Sequence, residues 1–462
     1  VARGRRAAAR MKPATRRLAG RVARRVGLRL PAGSGRRTNG RLAFVGPMPP
    51  ASTGIASYDR AVMDGLRRTG FLQRHRTDVI WPVRSSQDRR ISAYDLGIFQ
   101  LGNNARFHGQ IYRLAIASPG LVVLHDLALD GLVVGLAAQG DPAAIAAARE
   151  AAALRSRVTD PDMAMHEPLR SVWCAAVARA SRGIVVHSPF GKRYLESVGV
   201  RTPIFTVPHP VVEDEPTMRR AEPRAKELRA MLEAQGARTI VVAPGDVNEA
   251  KCLPALVEAI ATLPGDVHAA LVGRRIPGTD ITAAIASHGI GDRVTVHHDV
   301  SDDDFRAWLV AADIAVDLRF PHRGEVSGSL SMAMVAGTPT LVSATGTYLD
   351  IPEELVVRVA PGPADPTELA RRILELRDDP ERRARVGSAA RAHMAALRDT
   401  DATARGYEEA IIATRAIVAD PTRPLRTRWA ASLAAVGIDD TLVEEGYGVS
   451  YVRALESFER TP

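Results

Sequence analysis

The stretch TIVVAPGDVNEAKCLPALVEAIATLPGDVHAALVG, residues 239–273, decides the fold class. A β-branched run, TIVVAPG, stops at a glycine, an Ala/Leu segment of helical character, LPALVEAIATL, follows, and a second apolar run, HAALVG, closes the unit. Short unbroken apolar runs suit strands covered on both faces, and a helix between two of them is the crossover that joins parallel neighbours. The alternation continues through RVTVHH (293–298), IAVDLRF (314–320), TLVSA (340–344) and VVRVAPG (356–362). It is already present upstream, in LAFVGP (42–47), DLGIFQLG (95–102), LVVLHD (121–126), GIVVHS (183–188) and IFTVPHP (204–210). Between the two series, residues 211–230 lose all strand character. The expected organisation is therefore an arm over 1–40, a doubly wound Rossmann-like domain over 41–212 and a linker over 213–230. A second such domain over 231–400 and a partly helical segment over 401–462 complete it. Ligands of such sheets sit beyond the carboxyl ends of the strands, which places the expected site in the cleft between the domains.

Composition supports two domains. At 462 residues the chain exceeds one ordinary core, and 46% hydrophobic with 25% charged residues is a globular composition. No apolar run is long enough to span a bilayer. Cys174 and Cys252 are the only cysteines, which excludes a disulfide framework and a thiolate metal site, fits a reducing cytoplasm, and leaves both to be read as buried small hydrophobes. The net charge of +10 is concentrated in the arm, where residues 1–40 hold thirteen Arg or Lys and no acid. The rest has 62 − 13 = 49 basic against 52 acidic residues, a net of −3, so the high isoelectric point says nothing about the folded body. Within the arm, Leu18, Val22, Val26 and Leu30 recur every fourth residue among arginines, the pattern of a basic amphipathic helix over 16–30 that lies on anionic lipid; the alternative is a solvated arm. Val1 is read as a non-Met start, with Met11 as the alternative first residue. Nucleic acid is not expected as a partner, because no aromatic platform interleaves the basic residues.

Candidate chemistry gathers at strand ends. In RGEVSGSLSMAMVAGTP (323–339), Glu325 precedes a helix whose first turn, Ser327, Gly328 and Ser329, has little side-chain bulk. A helix N-terminus exposes unpaired N–H groups and partial positive charge, so this turn is a seat for an anion. GPMPPASTGIASYDRAV (46–62) places Gly54 near another helix start, either for close approach of a ligand or as a plain turn. LVVLHD ends in His125 and Asp126, an imidazole suited to a sugar hydroxyl beside a carboxylate that serves function or caps a helix. QLGNNARFH offers Asn103, Asn104 and His108 in the same geometry, and Lys251 stands at the head of a helix where an ammonium pairs with phosphate or is an ordinary surface lysine. The acids of SDDDF (301–305) are read as helix capping rather than as a metal site. No G-x-G-x-x-G and no P-loop motif is present.

Taken in order, PPASTGIASY, QLGNN, LHD, VVHSPFGK, VPHP, AALVG, AADIAVDLRFPHRGEVSGSLSMAMVAGTP and DPERRARVGSAAR resemble the retaining GT-B glycosyltransferases of family 4, in particular a bacterial subgroup with a Gly-Glu-x-Ser-Gly motif. The likeness covers roughly residues 41–400. It implies a GT-B fold and transfer of a sugar from a nucleotide-sugar donor to a glycan or lipid-linked acceptor, with retention and without a metal or other cofactor. It further implies a cytoplasmic enzyme of surface polysaccharide or glycolipid synthesis, touching the inner membrane face through its arm. The implied donor site comprises Gly54, Lys251, Gly273, the backbone at Val300, Arg319, Ser327, Gly328 and Ser329, with His125 and Glu325 at the transferred sugar. Tyr58, Asn103, His108 and Asp126 fall on the acceptor side. Two departures stand out: the second Glu of the motif is replaced in Met332–Met334, and the phosphate-binding Arg before the lysine is Asp246, for which Arg319 is the expected substitute. A catalytically silent nucleotide-sugar-binding subunit and a nucleotide-sugar epimerase are the alternatives.

Overall fold

The computed structural model describes residues 40–417 except 52, 84–90, 92 and 277–279. The basic arm with its expected helix at 16–30, and the stretch 418–462, lie outside the described residues.

Two parallel six-stranded sheets carry the chain. The first is built from β1 (Arg41–Val45), β2 (Arg76–Ile80), β3 (Leu96–Leu101), β4 (Leu121–Leu124), β5 (Gly183–Val186) and β6 (Ile204–Thr206), in the order β2-β1-β3-β4-β5-β6. The second comprises β7 (Thr239–Pro244), β8 (Val267–Gly273), β9 (Val294–His298), β10 (Ile314–Asp317), β11 (Thr340–Ser343) and β12 (Val357–Val359), in the order β12-β11-β10-β7-β8-β9. Every run read as a strand is one. The missed strand is β2, RTDVI, in which only Ile80 is buried: an edge strand needs no apolar run.

The helices that matter below are α1 (Gly54–Arg68), α2 (Ala105–Ala117), α3 (Asp130–Ala138), α4 (Glu215–Glu233), α5 (Leu253–Thr262), α6 (Asp302–Ala311), α7 (Gly328–Ala336) and α8 (Ala402–Ala416). Apolar side chains cover both faces of each sheet. The wholly buried β3 and β7 sit mid-sheet, where each buried Val, Leu or Ile contributes about 1.5–3 kcal/mol.

Two segments differ from expectation. Most of the expected linker, 213–230, lies in helix α4: Asp214 caps it by accepting from Thr217 N at 2.8 Å, and Met218, Ala221, Ala225, Leu228 and Leu232 bury one stripe in the second domain's core. The loss of strand character there marked a helix. Beyond residue 400, α8 returns to the first domain, where Ala404, Tyr407, Ala410 and Ile411 join its core.

Each sheet reverses its winding once, between β1 and β3 and between β7 and β10. A doubly wound sheet opens a crevice at such a point, where neighbouring loops run to opposite faces. The loops after β1 and β3 and those after β7 and β10 all border the same cleft.

Candidate functional site: the interdomain cleft

The cleft has a volume of about 1240 Å³. That exceeds the usual range of a pocket for one small ligand, about 300–1,000 Å³. Gly54 and Gly328, the first residues of α1 and α7, face it from opposite walls, and a Cβ added to either would meet nothing within 4 Å. Both helix starts are thus open to close approach. Ser327 caps α7 by accepting from Leu330 N at 3.3 Å, as Thr53 caps α1 by accepting from Ile55 N at 3.3 Å.

Glu325 is held rather than free. Its Oε2 accepts from Arg323 N at 2.8 Å, its Oε1 lies 3.2 Å from Arg319 Nε, and His322 Nδ1 is 3.5 Å from Oε2. Burial would raise this carboxyl, but His322 and Arg319 outweigh it and hold it at about 2. Glu325 is therefore an anion at any working pH. Its loop is tied to the first domain: Leu127 N and Ala128 N donate to Arg323 O at 2.9 and 3.0 Å, His322 N donates to His166 Nδ1 at 3.1 Å, and Arg323 reaches Asp130 at 3.3 Å. Gly324 has φ +83°, and a Cβ there would lie 2.5 Å from Leu127 Cγ, so only glycine makes this approach.

Lys251, expected at the pyrophosphate, is engaged within the protein. Its ammonium does not line the cleft; it is buried against Asp317, the last residue of β10, and donates to Pro244 O at 2.9 Å and Ser329 Oγ at 3.0 Å. Asp317 also accepts from Ser327 Oγ at 2.5 Å and Tyr348 OH at 3.1 Å. Burial lowers Lys251 to about 8 against the pull of Asp317. Burial alone would raise Asp317, but Lys251 and Arg319 keep it below the usual carboxylate range, so both groups are charged at neutral pH. The pair braces the first turn of α7 from behind. Ser327 and Ser329 belong to that bracing.

Cations that do face the cleft come from elsewhere. Arg274, immediately after β8, makes a two-pronged pair with Asp246 at 2.8 Å for each prong; Arg275, Arg306, Arg319 and Arg323 line the same wall. Gly273 lies behind, because Gly245 O would stand 1.8 Å from an added Cβ. Val300 packs against the core while its neighbours Asp299 and Asp302 line the cleft. Met332 lines it too, where the sequence offers no second carboxylate.

On the first-domain wall, Tyr58, Asn103, Asn104, His108, His125 and Asp126 line the cleft. Asn103 is structural in part: its Oδ1 accepts from Leu132 N at 3.0 Å and its Nδ2 donates to Asp130 at 2.7 Å. Asp126 accepts from Asn103 N at 2.9 Å, so its partner is the loop after β3 rather than a helix of its own. His108 is buried on Gln100 O at 3.1 Å, and burial lowers it to about 4.

Four residues were missed. His187 and His209, at the ends of β5 and β6, join Tyr58 and His125 in one aromatic group with centroids 4.5–6.0 Å apart. His187 ends its strand much as His125 does, so the same strand-tip rule would have found it. Gln100 and Tyr407 fix His125: the Gln100 amide donates to Tyr407 OH at 3.4 Å, its Oε1 lies 3.0 Å from His125 Nε2, and Tyr407 OH is 2.8 Å from Tyr58 OH. With that amide orientation Nε2 of His125 is the donor, and Nδ1 remains as the ring's acceptor. No local signal connects Tyr407 to His125, because α8 reaches the site only through the tertiary fold.

Residues 225–393 match the family described as glycosyl transferases group 1. That region spans most of the second domain, including Lys251, Arg319 and Glu325. A 2-deoxystreptamine glucosyltransferase of Streptomyces kanamyceticus is 30% identical over 110 residues, which is 24% of this chain and 28% of that relative. Solved structures resemble nearly the whole described body. Sucrose-phosphate synthase from Thermosynechococcus elongatus, 18% identical, gives a TM-score of 0.57 over 81% of this chain and 99% of its own. HepE from Anabaena, in complex with UDP and glucose, is 17% identical with a TM-score of 0.57 over the same shares. The fold is GT-B: two parallel α/β domains facing one cleft.

Proposed function

We propose that the chain is a glycosyltransferase that moves a hexosyl group from a nucleoside diphosphate sugar to a hydroxyl of an acceptor, with retention of anomeric configuration. The observation that carries this reading is the pairing, on one wall of the cleft, of an open helix start at Gly328 flanked by arginines with an anionic Glu325 held beside it. The α7 N-terminus, Arg274, Arg275 and Arg319 are suited to a diphosphate, and Glu325 accepts hydrogen bonds from sugar hydroxyls. The group 1 match over this domain and the UDP and glucose bound by HepE support it.

In the transfer, the acceptor oxygen forms its bond to the anomeric carbon as the bond from that carbon to the diphosphate oxygen breaks, and the hydroxyl proton passes to the departing diphosphate. Positive charge fixed around that diphosphate stabilises it as it leaves, and the protein's contribution is positioning and electrostatics. These arginines and backbone N–H groups meet the phosphate charge without a metal in this reading.

The test is turnover of UDP-, GDP-, ADP- and TDP-glucose followed by proton NMR with a panel of acceptors, including amino sugars. Diphosphate release with an α-configured product from an α-configured donor supports the reading, and an inverted product ends the claim of retention. Arg319→Ala is expected to weaken donor binding; unchanged affinity would remove Arg319 from the phosphate site.

A further inference from the structure

The two walls of the cleft carry different groups: the second-domain wall mixes arginines with Asp246, Glu249, Asp299, Asp302 and Glu325, whereas the first-domain wall has no arginine or lysine among the described residues. Among the described residues every arginine lining it, Arg274, Arg275, Arg306, Arg319 and Arg323, comes from the second domain, and none comes from the first. Two more carboxylates line the cleft, Asp126 of the first domain and Glu213 of the expected linker. Glu213 is neutralised by Arg306 at 2.8 and 2.9 Å, whereas Asp126 has no ion-pair partner among the described residues. Arg323, the cation that most affects Asp126, is itself paired with Asp130 at 3.3 Å.

The first-domain wall also offers neutral acceptors, grouped about Tyr58. His187 Nδ1 donates to Val207 O at 3.0 Å and His209 Nδ1 donates to Pro210 O at 3.1 Å, so each ring keeps Nε2 as an acceptor. His187 Nε2 is buried and has no partner. A buried acceptor left unmet costs roughly 1–3 kcal/mol, and a ligand donor would recover it. His125 adds Nδ1 as a third acceptor, by the tautomer that Gln100 imposes. Burial lowers all three imidazoles, His187 to about 3 and His209 to about 4, so they remain neutral acceptors at physiological pH. Burial, reinforced by Glu325, raises Asp126 to about 7.

Three neutral acceptors and one uncompensated carboxyl have no use for a phosphate or another anion. We propose that this wall binds an amine-bearing polyol, an amino sugar or aminocyclitol, as the acceptor, with its ammonium on Asp126 and its hydroxyls on His125, His187 and His209. The proposal rests on the glycosyltransferase reading for the name acceptor, but the binding site itself does not.

The experiment is saturation-transfer NMR of the full chain at pH 7 with glucosamine, glucose and glucose 6-phosphate, each with and without saturating UDP. One ring thus carries an amine, a hydroxyl or an added phosphate. Glucosamine is expected to bind at least about tenfold more tightly than glucose, the scale of one charge-assisted hydrogen bond. Glucose 6-phosphate is expected to bind no better than glucose once UDP fills the arginine wall. Asp126→Asn keeps an acceptor for Asn103 N, and it is expected to bring glucosamine down to the level of glucose. Glucose equal to glucosamine, glucose 6-phosphate tightest in the presence of UDP, or no binding of glucosamine overturns the proposal; these native-chain outcomes stand even if the variant does not fold. Failure of UDP itself to bind, with the preference for glucosamine intact, instead overturns the nucleotide-sugar reading.

Discussion

Lys251→Met separates a bracing ion pair from a donor-site cation. The substitution keeps the length of the aliphatic stem and removes the charge. It leaves the Asp317 carboxylate at 0% exposure with only the hydroxyls of Ser327, Ser329 and Tyr348 as partners. Breaking a buried pair on one side typically costs about 3–5 kcal/mol, because the surviving charge loses its direct partner; here the Arg319 charge compensates Asp317 only in part. For a domain of this size each kcal/mol moves the melting temperature by about 2–4 °C, so the variant is expected to melt about 6–20 °C below the native chain. Adding Asp317→Asn removes the stranded charge while keeping hydrogen bonds to Ser327 and Tyr348, and most of the loss is expected to return. The assay is thermal unfolding by circular dichroism, paired with calorimetric titration of UDP. If Lys251→Met melted within about 2 °C of the native chain while UDP affinity fell tenfold, the reasoning would be refuted, because ΔΔG of that size belongs to an exposed cation meeting a phosphate.

Tyr407→Phe is expected to cost about 1–3 kcal/mol, since it strands the buried Tyr58 hydroxyl and one Gln100 amide hydrogen. The variant also releases His125, so nitrogen-15 shifts of its ring should report mixed tautomers; a single unchanged tautomer would show that the Gln100 link does not orient it. Acid should destabilise the fold. His108, His209 and His322 are held at about 4 and His187 at about 3, mainly by burial, below the ordinary value of about 6.5. The unfolded chain therefore takes protons first, and stability is complete above about pH 6.5 and falls toward pH 4, by about 1 kcal/mol per histidine at pH 5.5. Asp126, raised to about 7, and Asp59, pushed well above the ordinary carboxylate value by burial, work the other way, while His125, lowered by burial, adds to the histidines. Melting curves at pH 7.5 and 5.5 that coincide would contradict this.

The fold was legible because the inner strands such as β3, β7 and β8 are buried on both faces, so each reads as an unbroken apolar run between helices. The edge strand β2 lacks that pressure and was invisible. Glycine openness was legible as well: Gly54 and Gly328 stand at helix starts with free space above them. Side-chain partnership was not. Lys251 in its loop reads like any phosphate-binding lysine, and only the packing of β10 beside β7 brings Asp317 to it. Tyr407 lies 282 residues beyond His125, and Asp126 stands unpaired only because Asp130 takes Arg323.

The central claim is that the cleft binds a nucleotide sugar with Glu325 at the sugar. The most direct measurement is a thermal-shift titration of the native chain and Glu325→Ala with UDP, GDP, ADP and TDP and their sugars. A ligand that binds only the folded state raises apparent stability as its concentration exceeds its dissociation constant. The account predicts that one base stabilises both proteins and that the extra shift from its attached sugar is lost in Glu325→Ala. No shift with any nucleotide, or a sugar increment that survives the substitution, would contradict it.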